Sequence, residues 1–266
     1  MSNSHIISNL DIMSDSDIAS ALNAEILPMS AYLEDYKERV SENLQYYGWG
    51  GLHATHIGDQ FHHGRYTVAA KLSHEPQWLS WLVRDTVAGK WRRLDMYSGV
   101  HSELPGRIQD AKYALSHREA EESDAVADEE GYALEWFLHH GPSGTHVCVV
   151  YPLNGEGNYF RWTVWDENRI NEKWILRQCV KLRRERGEEE EAGAGSAPQS
   201  VHDIPEDEMV RILGGRKLIM VTPELRERAH VEPDVRDELL PRYLVASPPR
   251  IHDDLDYWLS PEAFQR

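Results

Sequence analysis

One pattern in this chain occurs twice, and it limits the possible folds more than any other feature. His62-His63-Gly64 is followed by residues 66–72, Trp81-Leu82-Val83-Arg84-Asp85 and Lys90-Trp91; His139-His140-Gly141 is followed by residues 147–153, Trp162-Thr163-Val164-Trp165-Asp166 and Lys173-Trp174. From the apolar stretch through the Asp both copies keep one offset, pairing Leu72 with Leu153, Trp81 with Trp162, Val83 with Val164 and Asp85 with Asp166. The slips are a longer link after the second tripeptide and a longer turn in the second hairpin. Insertions confined to loops are what a diverged duplication shows, because loops tolerate changes of length that strands do not. The expectation is an α+β fold: two diverged helix-plus-three-stranded-meander repeats forming one curved antiparallel sheet, helices on one face, with a C-terminal α/β extension.

Taken in order, residues 1–28 read as an N-terminal arm and short helix, capped by Asp15 or Ser16 and stopped by Pro28. Residues 29–104 are repeat 1. Ser30 opens a helix with Leu33, Tyr36, Val40, Leu44 and Tyr47 at spacings of three and four, and Gly48 stands where a left-handed C-cap belongs. Residues 66–72, 77–84 and 90–97 follow as three strands, separated by the Pro, Asp and Gly that turns need. Residues 105–186 are repeat 2, with a helix from Ile108 and strands at 147–151, 159–165 and 173–182. Residues 187–201 are an acidic Gly/Ala-rich linker. Residues 202–266 are the C-terminal extension, whose short strands at 217–221 and 242–246 are expected to add to the sheet of the repeats, since two strands do not stand alone.

Composition narrows the function. With 41% apolar residues, nine Trp and 27% charged residues the chain can bury a core. A net charge of -17 argues against nucleic acid and anionic membrane as partners, since both would repel it at long range. The basic clusters at 90–93 and 181–186 do not alternate with aromatics, and Glu188 to Glu191 follow the second directly. The opening residues carry no basic and apolar leader pattern, and no run of eighteen apolar residues occurs, so a cytoplasmic, soluble protein is expected. Cys148 and Cys179 suggest neither a disulfide framework nor a zinc site.

The candidate catalytic residues are His56, Asp59, His62 and His63, which with His53 supply imidazole and carboxylate groups suited to zinc or iron. Their spacing argues against one ion: in an extended segment His62 and His63 point to opposite faces, so no metal is assigned. The bland alternative is a polar loop in which each buried His has its own hydrogen-bond partner. Trp81, Trp91, Trp162 and Trp174 are the candidate pocket residues, lining a ligand cleft if they are not simply core. Asp85 and Asp166 resemble paired catalytic carboxylates, yet each sits at a hairpin exit where Asp commonly holds the turn. His146, Asp166 and Cys179 could be read as a cysteine-protease triad, but no Gly-rich elbow presents the thiol. The expected function is a soluble intracellular binding or protein-interaction module without catalytic activity or cofactor, taking a protein or small-molecule ligand; the alternative is a metal-assisted hydrolase or lyase using residues 53–63.

Overall fold

The computed structural model describes residues 13–32, 41–119, 133–153, 172–186 and 198–248. The elements in chain order are α1 (Asp15–Ala21), β1 (Ala24–Ile26), β2 (Gln60–Phe61), β3 (Tyr66–His74), β4 (Trp78–Asp85), β5 (Lys90–Tyr97), α2 (Gly99–Glu103), α3 (Arg107–Glu119), β6 (Glu135–Gly141) and β7 (Gly144–Pro152). They continue with α4 (Glu172–Glu185), α5 (Glu206–Ile212), β8 (Arg216–Met220), α6 (Pro223–Arg228) and β9 (Tyr243–Val245). The fold is α+β, with two sheets ordered β2-β3-β4-β5-β7-β6 and β1-β8-β9.

The first meander forms where alternation and turn residues place it. β3, β4 and β5 pair antiparallel, Val68 against Val83, Trp81 against Leu94 and Asp85 against Lys90. Asp85 holds the β4–β5 turn: its Oδ1 accepts from the amides of Val87 and Ala88, each at 3.0 Å. A register shift between Val68 and Ala70 then inverts the sides of the rest of β3. One extra residue in a strand of period two exchanges its faces. Val68 and Trp81 therefore share a core with Leu94 and Met96, whereas Ala69 and Ala70 join Leu82 and Trp91 on the other side. Lys71, opposite Trp81, is turned into the first core.

Both faces of the large sheet are covered, not one. On the first lie α1 and the small sheet, contributing Ile18, Leu22, Leu218, Ile219 and Tyr243. On the second lie α4 and α5, contributing Ile175, Cys179, Met209 and Ile212. The C-terminal extension adds no strand to the large sheet. β8 instead pairs parallel with β1 and antiparallel with β9, so a strand from near each end of the described chain completes a sheet around it.

The duplication fails at its second copy. Residues 173–182, expected as a strand, lie in α4, which carries Leu176, Cys179 and Leu182 on the side of the second core. Those apolar positions are three apart, a helical spacing. The expected strand at 159–165 lies outside the described residues. β7 pairs with β5 and β6, so it extends the first meander instead of starting another. The helix expected from Ser30 to Tyr47 is also not formed over its described ends: Met29–Ala31 and Leu44–Tyr46 are single 3-10 turns, and Asn43 caps the second. α1 is shorter than expected and is capped by Ser14 in a capping box with Asp17. The expected linker lies outside the described residues from 187 to 197.

Candidate functional site

Lys71 and Glu42 form a buried ion pair, with side chains 0% and 1% exposed. Ser41 Oγ and Tyr47 OH also donate to the Glu42 carboxylate, at 2.6 and 2.5 Å, and the Lys71 ammonium sits 5.1 Å from the Trp81 ring centroid. Burial alone would raise the Glu42 carboxyl, but the Lys71 charge and the hydrogen bonds from Lys71 and Ser41 bring it down to about 2. Glu42 also raises the Tyr47 phenol beyond what burial does. The carboxylate is thus charged and fully partnered, as a buried ion must be.

A second polar assembly joins the segment before β2 to the β6–β7 hairpin. His53 Nε2 lies 3.0 Å from His139 Nε2, and His53 Nδ1 lies 3.1 Å from Thr55 Oγ1. Thr55 Oγ1 donates to the His53 carbonyl at 3.3 Å, so its hydroxyl is left to accept from His53 Nδ1–H. His53 Nε2 is then the acceptor and His139 Nε2–H the donor. His146 completes the group, its ring 5.2 Å from that of His53. Its Nδ1 donates to the Tyr97 carbonyl at 2.8 Å and its Nε2 meets Ser143 Oγ at 2.9 Å. Burial and the neighbouring imidazoles hold His53 well below the usual histidine range; His139 is lowered by burial and by His146 and His140, and His146 by burial. Backbone bonds tie the same segment down, from Gly50 N to the Ser143 carbonyl at 2.6 Å and from Val100 N to the Gly50 carbonyl at 2.7 Å.

The third assembly stands on the first His-His-Gly. His62, His63 and Gly64 all have positive φ, at 50°, 57° and 84°. Two successive non-glycine residues in the left-handed region cost about 1–2 kcal/mol each. The turn aims His62 Nε2 at Glu135 Oε1, 3.1 Å away, while Arg65 Nη1 reaches Glu135 Oε2 at 2.8 Å and Tyr66 OH donates to the same oxygen. Arg65 also forks onto Asp85, Nε to Oδ1 at 3.1 Å and Nη2 to Oδ2 at 2.9 Å. These bonds outweigh the burial of Asp85 and hold its carboxyl below its ordinary value.

The expected site residues are therefore dispersed. His56 Nε2 accepts from the Arg242 amide at 3.0 Å, and Asp59 accepts from the His56 amide at 2.7 Å. His62 faces Glu135, and His63 is exposed. Among the described residues no group of three or more His, Cys, Asp or Glu side chains is placed to hold a metal. Trp81 and Trp91, on neighbouring strands but on opposite faces of the sheet, fill separate cores and share no cleft. The Trp91 indole donates to the Ile204 carbonyl at 3.0 Å. Trp162 and Asp166 lie outside the described residues, and Trp174 is a residue of α4. The protease reading fails on placement: Cys179 is in α4, its thiol pushed up to about 11 by burial and by Glu208, while His146 is in β7. Sequence reasoning missed Glu42, Lys71 and Glu135. A lysine inside an apolar run is the one signal that could have marked the ion pair.

No family model matches the chain. It is similar to the protein kinase dsk1 of Schizosaccharomyces pombe, 30% identical over 150 residues, which are 56% of this chain and 27% of that protein. It is similar to the serine/threonine-protein kinase SKY1 of Saccharomyces cerevisiae, 29% identical over 128 residues (45% of this chain, 16% of SKY1). The serine/threonine-protein kinase spk-1 of Caenorhabditis elegans is 28% identical over 114 residues, 43% of this chain and 11% of spk-1. A solved kinase domain is also similar, at 13% identity, 48% of this chain and 35% of that one, but its TM-score of 0.30 is too low to bear on the fold. The chain spans about a quarter or less of the length of these curated relatives. Relatives that are kinases overturn the expectation of a module without catalytic activity, and equally the alternative of a metal-assisted hydrolase or lyase. No helix among the described residues is long and apolar enough to cross a membrane.

Proposed function

We propose that this chain is a relative of the serine/threonine protein kinases, which transfer a phosphoryl group from ATP to a hydroxyl of a protein substrate, and that it carries their sheet without their transfer residues. The observation that carries the proposal is the likeness to three protein kinases, each matched over more than a hundred residues at 28–30% identity. The order of elements is compatible with it. In a protein kinase a glycine-rich loop comes first, the third strand carries a lysine, and a following helix carries the glutamate that pairs with it. Here the β3–β4 hairpin, β5 and then α2 and α3 follow one another in that order.

The residues themselves do not fit ATP in that arrangement. The β3–β4 turn is Glu75-Pro76-Gln77, without glycine, so no run of free backbone amides can close over phosphates there. β5 buries Asp95, which accepts from Ser80 Oγ at 2.7 Å, where a lysine would be needed. Val68-Ala69-Ala70-Lys71 resembles the kinase Val-Ala-Ile-Lys, but it lies on β3, and its ion pair with Glu42 is sealed from any ligand. Neither Gly-x-Gly-x-x-Gly, His-Arg-Asp nor Asp-Phe-Gly occurs in the 266 residues. The described residues are therefore assigned the sheet of such a protein, and no step of its chemistry.

The test is to incubate the purified chain with radiolabelled ATP, magnesium and a mixed protein substrate, and to measure nucleotide binding by calorimetry. With those motifs missing, the expected result is no label on serine or threonine from this chain by itself; label with release of ADP overturns the assignment of a sheet without the chemistry. Lys71→Met sharpens it. Loss of one partner of a buried pair costs about 3–5 kcal/mol, so the sealed geometry predicts a large drop in melting temperature. A Lys71→Met variant that melts normally but loses ATP binding would instead make Lys71 the phosphate lysine.

A further inference from the structure

We propose that His53, His139 and His146 form a proton-operated latch, which holds residues 48–55 against the β6–β7 hairpin at neutral pH and lets them go when the seam takes up a second proton. The geometry sets this up. Three imidazole rings, one from the segment before β2 and two from the β6–β7 hairpin, stand with centroids 4.6, 5.2 and 6.5 Å apart. His146 is fully buried and His53 is 9% exposed, so water screens little of their mutual repulsion.

The 3.0 Å bond between His53 Nε2 and His139 Nε2 requires one nitrogen to carry a proton and the other to carry none. A single added proton on His53 is accommodated if His139 moves its own proton to Nδ1 and accepts. A second leaves two N–H groups facing each other with no acceptor between them. The neighbouring side chains offer little relief. The groups facing the seam are His56 and Asp59 from the same segment, His140 from β6, Ser143 from the hairpin, and the Tyr97 carbonyl and Met96 thioether from β5. Of these only Asp59 is a carboxylate, and its effect on His139 is the smallest of those that act on it. β2 presents the uncharged ring of Phe61, 4.8 Å from His139 and 5.9 Å from His53.

The segment so held carries Trp49, 77% exposed, and contacts the start of α2 through Gly50 and Gly51. Protonation would thus free a surface next to the helix that follows β5. The sign follows from linkage. The folded seam disfavours protons that the unfolded or opened segment takes up near pH 6.5, so acid favours opening, and the effect accumulates as pH falls below 6.5. The depressed carboxyls titrate lower: Glu42 loses its contribution only as pH falls through its unfolded value of 4.5 toward about 2, which leaves pH 5.5–7.5 to the histidines.

The experiment is hydrogen exchange of the full chain at pH 7.5, 6.5 and 5.5, corrected for the intrinsic rate and read on residues 48–56 and 135–147. Each proton taken up on opening multiplies the open fraction by about ten per pH unit. The expected result is a loss of protection in those two segments of about tenfold or more by pH 5.5, with β4 unchanged. His139→Gln keeps a hydrogen-bonding group but cannot titrate, and should flatten the response; His139→Glu, which favours a charged His53, should flatten or invert it. His101→Asn, altering the lowered histidine of α2, should leave it intact. A change below about threefold in the wild type, or an unaltered acid response in His139→Gln, overturns the latch. If the variants fail to fold, carbon-13 signals of the histidine rings in the wild type decide: titration of all three rings near 6.5 with no change in loop protection is fatal to it.

Discussion

The two His-His-Gly tripeptides are identical in sequence and opposite in structure. The first is a left-handed turn ahead of β3, with His62 and His63 at φ 50° and 57°; the second is extended strand, paired in β6 with His146, Thr145 and Gly144. Glycine is needed in both, for different reasons. Gly64 has φ 84° and only Gln60 near its missing Cβ, at 3.5 Å, so it is there for conformation. A Cβ on Gly141 would lie 2.5 Å from His53 Nε2, far closer than van der Waals contact allows, so it is there for space. A tripeptide does not choose between these states; its neighbours do. The first is bound by Glu135 from another strand, and the second is held in register by seven pairs along β7.

This contrast can be broken by mutation. The largest effect is expected for Gly141→Ala, which drives a methyl into a histidine packed between Phe61, His139 and His146; overpacking of this kind costs about 1–3 kcal/mol. Chemical denaturation should show it, along with loss of protection at residues 50–55, and a neutral outcome would mean that His53 is free to move. Glu135→Gln comes next. It leaves Arg65 and His62 without their shared charge, at about 1–2 kcal/mol given that the cluster is partly exposed, and should loosen the first tripeptide while leaving the second in place. Gly64→Ala should cost about 1–2 kcal/mol from its positive φ alone. The smallest effects are the most discriminating. His63→Gly relieves a left-handed residue and should be neutral or stabilising by up to about 1 kcal/mol, whereas His140→Gly weakens a strand by about 0.5–1 kcal/mol. Equal signs in thermal melts would show that the two tripeptides are not in different conformations.

Much of the fold was legible where a local signal and its tertiary context agree. β3 to β5 follow from alternation and turn residues, and α6 follows from Thr222 with Pro223 at its first position. The duplication misled because apolar residues at 175, 176, 179 and 182 satisfy a loose strand reading and a helical one alike; what settled it was that Ile175 and Cys179 pack on α5 and the second face of the sheet. The tryptophans misled for a related reason, since a strand buried on both faces hides which core each ring enters.

The amino-acid sequence by itself determined the meander, the cap at Thr222, and the acidic charge, all of which depend on residues close in the chain. Only the tertiary structure decided the polar assemblies. Lys71 meets Glu42 across 29 positions because a one-residue bulge reverses a face; His53 meets His139 across 86, and His62 meets Glu135, because the six-stranded sheet curves until its β2 and β6 edges come together. Burial makes such pairs matter, since a charge or imidazole out of water must find its partner wherever the chain happens to bring one, and no spacing in the sequence records that distance.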